Sequence, residues 1–234
     1  MLIFGVVLRY PARDSCVQRW RILRLARGER PGMVHAAVVM EERWRLFVAI
    51  ELGAEARQAV RLTQAAARRA GFSARWVDPA NAHLTLEFLG DTDREQIESL
   101  GAALGAVVAR RAAFALQTTV IGGFPNLRHP SVLWLGLGGA LDQLAALQQA
   151  VEAALVAQGF PAEARPFRPH LTLGRLPRGT ALPTPAAIAN LAERDDFAGV
   201  ALSVRGIQLV RSELSPSGAR YTTLHDLPFT GTVG

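Results

Sequence analysis

The chain has 234 residues, half of them hydrophobic and a fifth charged, enough for one sizeable core or two small lobes and too apolar for disorder along its whole length. Its net charge of +6 invites a polyanionic partner, yet residues 1–39 hold seven arginines against Asp14 and Glu29, whereas residues 40–234 hold nineteen against eighteen acids. A nearly neutral body is a weak trap for long nucleic acid, although a local arginine patch still suits a small phosphate.

All 26 basic residues are arginine, which reads as the coding bias of a GC-rich genome. Cys16 stands alone, so no intrachain disulfide or cysteine metal cluster is available. No stretch approaches the roughly 18 uncharged apolar residues of a membrane span. "MLIFGVVL" lacks both the basic n-region and the small-residue cleavage site of a signal peptide. The reading is a cytoplasmic protein without membrane contact.

Residues 1–40 form a basic, Arg-dense extension without sustained periodicity that ends near a Pro-Gly breaker. They read as an artefact of start assignment, with translation beginning at Met33 or Met40; the rival reading is a basic arm that contacts RNA. The folded domain is expected over 41–234. It opens with an apolar strand, "RWRLFVAIEL" (43–52), and the Ala/Arg-rich stretch 54–71 then suits a helix that stops at Gly71. "ARWVD" leads past Pro79 into a strand at 83–89. Thr92 and Glu95 have capping-box spacing, so "DTDREQIESLGAALGAVVARR" is expected to run as a helix from there. Strands at 114–121 and 131–138 flank the turn-rich "GGFPNLRHP".

The second half repeats the plan. Leu141, Leu144, Leu147, Val151 and Leu155 have helical spacing within 140–159, and a strand near 167–175 follows. A helix is expected from Pro185 to Arg194, then strands at 200–213 and 219–225 across "SPSG". The fold class is α+β: two pseudo-symmetric lobes of antiparallel strands with helices, flanking a central cleft to which each lobe contributes one His-x-Thr strand.

Those two strands carry the chemistry. "HLTL" occurs at 83–86 and again at 170–173. Strand side chains alternate between faces, so His83 and Thr85 share one side and Leu84 and Leu86 the other; His170 and Thr172 repeat this against Leu171 and Leu173. A twofold relation between the halves would bring both polar pairs into one cleft. Two imidazoles suit acid–base work on a phosphate, one taking a proton from water while the other gives one to the departing oxygen. Unperturbed histidine titrates near ~6.5, so both protonation states coexist near neutrality. Threonine hydroxyls can donate to non-bridging phosphate oxygens. A zinc site would need a third protein ligand; Glu87, two residues past Thr85, is the nearest candidate, and the expectation is no metal and no cofactor.

"RLFVAIEL", "ARWVDPANAHLTLEFLGDTD", "GGFPN", "PSVLWLGL", "FRPHLTLGR" and "LVRSELSPSGARYTTL" together resemble the RNA 2′,3′-cyclic phosphodiesterases, the LigT-like or 2′-5′ RNA ligase-like branch of the two-histidine phosphoesterases. The resemblance spans about 43–226. It implies metal-independent hydrolysis of RNA 2′,3′-cyclic phosphate ends to 2′-phosphomonoesters, with His83 as proton donor, His170 as proton acceptor, and Thr85 and Thr172 on the phosphate. The implied partners are RNA ends or oligonucleotides bearing a 2′,3′-cyclic phosphate. Alternatives are 2′-5′ RNA ligation by the reverse steps, or a silent nucleotide- or RNA-binding module of the same fold. No protein partner is evident and a monomer is expected.

Weaker candidates are Arg45, favoured by the resemblance as a substrate contact, and Phe124, equally suited to stacking on a base and to filling core. Arg175 departs from the Thr172 face by simple alternation, so only a bend would bring it inward. Phe167, His35, His129, His225 and most of the four tryptophans read as structural.

Overall fold

Nine strands drawn together by their buried apolar rows make one sheet in the computed structural model, which describes residues 42–215 and 218–231. The basic extension at 1–40 lies outside the described residues. β1 (Arg43–Glu51) leads into α1 (Ala54–Arg69), the short β2 (Arg75–Trp76), β3 (His83–Asp93) and α2 (Ile97–Val108). β4 (Phe114–Phe124) and β5 (Val132–Gly139) precede α3 (Leu141–Ala157), β6 (His170–Arg175) and α4 (Pro185–Ala192). β7 (Ala201–Val204), β8 (Gly206–Ser215) and β9 (Gly218–Pro228) close the chain.

The strand order is β7-β4-β5-β6-β3-β1-β8-β9, with β2 attached to β6. The two histidine strands therefore sit side by side at the centre, β3 with β1 beyond it and β6 with β5 beyond it. Each half contributes a strand–helix–strand unit, β1-α1-β3 and β5-α3-β6, so the expected twofold likeness is present. The halves are not separate sheets: the antiparallel pair Leu84↔Leu171 joins them edge to edge.

Helices exchange across that seam, α1 packing on β6 and α3 on β3. Gln64 of α1, buried, donates to the Leu173 carbonyl at 3.0 Å, and Gln148 of α3 donates to the Glu87 carboxylate at 3.3 Å. Leu84, Leu86, Leu171 and Leu173 are all buried beneath the helices. Each contributes about 1.5–3 kcal/mol on removal from water. The leucines of the two HLTL motifs thus form the central seam of the core, which fixes the opposite, polar face of the same strands.

Two local expectations fail. The stretch 200–213 is not one strand but β7 and β8, separated by Arg205. Five strands lie between them in the sheet. A flat sheet would set them nearly 30 Å apart at about 4.8 Å per strand, whereas residues 204 and 206 are at most about 7 Å apart. The sheet must curl until its edges approach, and the chain passes from one to the other at Arg205. The Thr92–Glu95 capping box does not form either. β3 runs on to Asp93, so Thr92 is a buried strand residue whose hydroxyl donates to the Gly90 carbonyl at 3.3 Å. The chain enters α2 through a 3₁₀ turn at Arg94–Gln96.

Candidate active site

Extended by strict alternation, the Leu84↔Leu171 register sets His83 across from Thr172 and Thr85 across from His170. Side chains directly opposite on an antiparallel pair have Cβ atoms about 5 Å apart, and diagonal neighbours about 7–8 Å. The two histidines are such diagonal neighbours, on the face turned away from the leucine core.

Each imidazole is held in the same way. His83 Nδ1 lies 2.8 Å from the Asn81 carbonyl and His170 Nδ1 lies 2.6 Å from the Arg168 carbonyl, both two residues upstream. A carbonyl oxygen only accepts, so Nδ1 carries the hydrogen in both rings and Nε2 is left for chemistry. Aromatic neighbours fix the ring planes. His83 stacks on Phe47 at 4.7 Å and meets Tyr221 edge-on at 5.2 Å. His170 meets Phe124 edge-on at 4.9 Å, with Trp134 at 6.4 Å. Burial pushes both histidines below the ordinary value; the Asn81 and Arg168 carbonyls oppose this, and Arg175 lowers His170 further.

That influence of Arg175 corrects the expectation that its side chain leaves the site face. Leu133 pairs with Gly174 and Trp134 with Thr172, so Leu173 is an extra residue on β6. This bulge puts Leu173 and Gly174 both on the buried side and returns Arg175 to the face of Thr172. At the same point β6 changes partner from β3 to β2, through Trp76↔Gly174 and Arg75↔Arg175. Gly174 permits the approach, since a Cβ there would lie 3.1 Å from both the Arg75 carbonyl oxygen and the Trp76 ring. Glu87 turns to Gln148 on α3, and Phe88 approaches Phe47 at 6.1 Å, on the histidine side. Glu87 is therefore directed away from the histidines rather than sharing the Thr85 face, and burial raises its carboxyl above the usual range.

Tyr221 ties the halves together. Burial raises its phenol, and the guanidiniums of Arg175 and then Arg45 draw it back down. Arg45 pairs with Ser212 and Ser212 with Tyr221, and Arg45 shares the face of Phe47 by alternation. One arginine from each half thus bears on the tyrosine that touches His83. Two imidazoles, two threonine hydroxyls and two guanidiniums on one face suit a phosphate that exchanges protons with flanking bases. Beyond His83 the same face hollows into a cavity of about 180 Å³, running past Phe47 and Ala49 to Glu51 and Arg57.

The family profile of the 2′-5′ RNA ligase superfamily matches residues 53–216. The chain belongs to that superfamily. It is 32% identical over 188 residues to the RNA 2′,3′-cyclic phosphodiesterase of Thermotoga maritima, covering 80% of this chain and 96% of that one. It is 31% identical over 157 residues to the enzyme of that name from Aeropyrum pernix, covering 67% and 87%. Among solved structures, TT0787 of Thermus thermophilus superposes with a TM-score of 0.65 at 29% identity, covering 80% of this chain and 98% of that one. E. coli LigT complexed with 3′-AMP gives 0.63 at 29% identity, covering 81% and 99%.

Within this superfamily member, the structure sets His83, His170, Thr85, Thr172, Arg45 and Phe124 around one face, Phe124 through its contact with His170. Phe47, Tyr221, Trp134, Phe88 and Arg175 join them; the sequence reading missed the first four as site residues and set Arg175 aside on alternation. For Phe88 and Arg175 a signal existed: each stands five residues after its histidine, in "HLTLEF" and "HLTLGR". Phe47, Trp134 and Tyr221 depend on which strands neighbour β3 and β6, and local spacing carries no trace of that. Among the described residues no helix is long and apolar enough to cross a membrane, and no cluster of three or more His, Cys, Asp or Glu side chains is arranged to hold a metal ion.

Proposed function

We propose that the protein opens RNA 2′,3′-cyclic phosphate ends to 2′-phosphomonoesters, with His170 as the base and His83 as the acid. The observation that carries this reading is the matched pair of imidazoles, each with Nδ1 tied to the carbonyl two residues upstream and Nε2 left free. His170 Nε2 takes a proton from water, the water oxygen attacks phosphorus, the P–O3′ bond breaks, and His83 Nε2 gives its proton to O3′. The product has a 2′-phosphate and a 3′-hydroxyl; solvent then returns His83 to the protonated and His170 to the neutral form. Thr85, Thr172 and Arg45 hold the non-bridging oxygens, where charge builds up in the transition state. Phe124 supports His170 and stands where it can meet a ribose or base. The domain responsible is taken as residues 41–234.

Both histidines are disposed to be neutral before substrate arrives, because burial lowers them. An anionic phosphodiester placed between them favours the protonated form of whichever it approaches on the leaving side. The relatives' shared activity supports the cyclic phosphodiester as substrate. Ligation of a 5′-hydroxyl end is the same path reversed, and water at ordinary activity favours hydrolysis.

The test is an oligonucleotide ending in a 2′,3′-cyclic phosphate, incubated with excess EDTA and resolved for 2′- and 3′-phosphate products. The 2′-phosphate is expected, with turnover falling on the order of 10²–10⁴-fold in either His83→Ala or His170→Ala. Undiminished activity in His170→Ala, or 3′-phosphate as product, overturns the assignment.

A further inference from the structure

We infer that the cavity beside His83 is a base-reading pocket that selects guanine at the nucleotide carrying the cyclic phosphate; this rests on the proposed function. The floor is apolar and narrow. Phe47 and Ala49 of β1 pack with Val210 of β8 and Tyr221 of β9, and the small Ala49 makes the hollow between Phe47 and Glu51. From residue 47 to residue 51 the strand covers about 13 Å, comparable with the reach of one nucleoside from its phosphate to the far edge of its base. The cavity's volume, about 180 Å³, admits a single ring system lying on that floor against the Tyr221 and Phe47 rings.

At the far end the polar groups hold one another in place. Arg57 Nη2 donates to Glu51 Oε1 at 2.7 Å, and Gln208 Nε2 donates to Glu51 Oε2 at 3.2 Å and to Asp226 at 3.3 Å. Each Glu51 oxygen has accepted one hydrogen bond and retains capacity for another. Arg57 Nε is buried and has no hydrogen-bond partner among the described residues. An unpartnered buried donor is costly, and the side chain that carries it lines the cavity that reaches His83. Arg57 beside Glu51 forms a donor–acceptor–acceptor row.

Guanine presents the complement on its Watson–Crick edge: O6 as acceptor, then N1–H and N2–H as adjacent donors. Adenine and cytosine would point a ring-nitrogen acceptor at the carboxylate, and uracil would flank its single N–H with two carbonyls. The row therefore attracts one base and repels three. Single-stranded ends are read in this manner, by stacking on aromatic rings and bonding at the Watson–Crick edge.

A bidentate contact of this kind discriminates between bases about tenfold to a hundredfold. Glu51, with its side chain 59% exposed, belongs at the lower end. The test has two arms: kcat/KM for the four 2′,3′-cyclic mononucleotides, and Kd for the four nucleoside 2′-monophosphates by calorimetry. The expectation is about tenfold tighter binding of the guanosine compound, with the same order in kcat/KM, and near-parity in Glu51→Gln. Equal affinity for all four 2′-monophosphates, or an unchanged guanosine preference in Glu51→Gln, overturns the pocket assignment. Failure to hydrolyse any of the four cyclic compounds overturns the catalytic reading instead, and the binding arm still decides the pocket.

Discussion

Replacing Arg175 by Gln should move two observables in opposite directions, and both follow from the bulge in β6. The guanidinium stands on the histidine face because Leu173 is an extra residue, and there it bears on both His170 and Tyr221. His170 is lowered first by burial, is raised by the Arg168 carbonyl and is lowered again by Arg175. Removing only the last influence should raise its titration modestly, leaving burial dominant. Phosphate binding should weaken, because a charge-assisted hydrogen bond is lost. Such bonds contribute about 1.5–3 kcal/mol when sheltered, but Arg175 is exposed, which places the effect near the bottom of that range, about tenfold in Kd. The assay is an NMR titration of the His170 ring beside calorimetry with inorganic phosphate. General loosening of the site would raise both buried histidines, whereas loss of the Arg175 charge should raise His170 and leave His83, which it does not perturb, unmoved. If neither quantity moves, Arg175 does not share the site face and the bulge has been misread.

Three further expectations follow. The kcat/KM profile of the free enzyme should be bell-shaped with its centre on the acid side of ~6.5, since both histidines are lowered by burial; a maximum above pH 8 contradicts this. By the same sign, neutral imidazoles are the form the fold prefers, so their contribution to stability is complete above ~6.5 and is lost as pH falls through the lower folded values, which urea melts from pH 7.5 to 5 would reveal. Gly122→Ala should cost about 1–3 kcal/mol, because a methyl there would overlap the Trp134 indole. The double variant with Trp134→Leu should recover part of that loss in thermal melts; strict additivity of the two changes would show that they do not touch.

The legible part of this molecule was the part written in local alternation. Leu84, Leu86, Leu171 and Leu173 are buried and the intervening His and Thr are not, as a period of two requires, and helices α1, α3 and α4 fall where their apolar spacing and stop signals put them. What stayed hidden depends on residues far apart in sequence. Nothing near Arg205 tells that a single residue joins opposite regions of a curled sheet. Thr92 has the spacing of a helix cap but is held in an elongated strand. Arg175 was misplaced because alternation counts residues and a bulge adds one. Tyr221 reaches His83 only because β9 packs beside β8 and β8 beside β1.

The repeat of HLTL also raises a chemical difficulty, because a site with true twofold symmetry could not tell its acid from its base. The sequence after each motif breaks the tie. Five residues past His83 stands Phe88, 6.1 Å from Phe47 on the histidine side; five residues past His170 the bulge in β6 returns Arg175 to the site face. A cation near an imidazole disfavours its protonated form, and only His170 has Arg175 among the influences on it, while His83 is perturbed by burial and the Asn81 carbonyl alone. His83 packs between Phe47 and Tyr221, so an arriving phosphate is the strongest charge it meets and can load it with a proton. His170, beside a fixed cation, is the better placed to stay neutral and accept one. Under the proposed function, a different side chain at the same offset from each motif is enough to suit its two copies to opposite tasks.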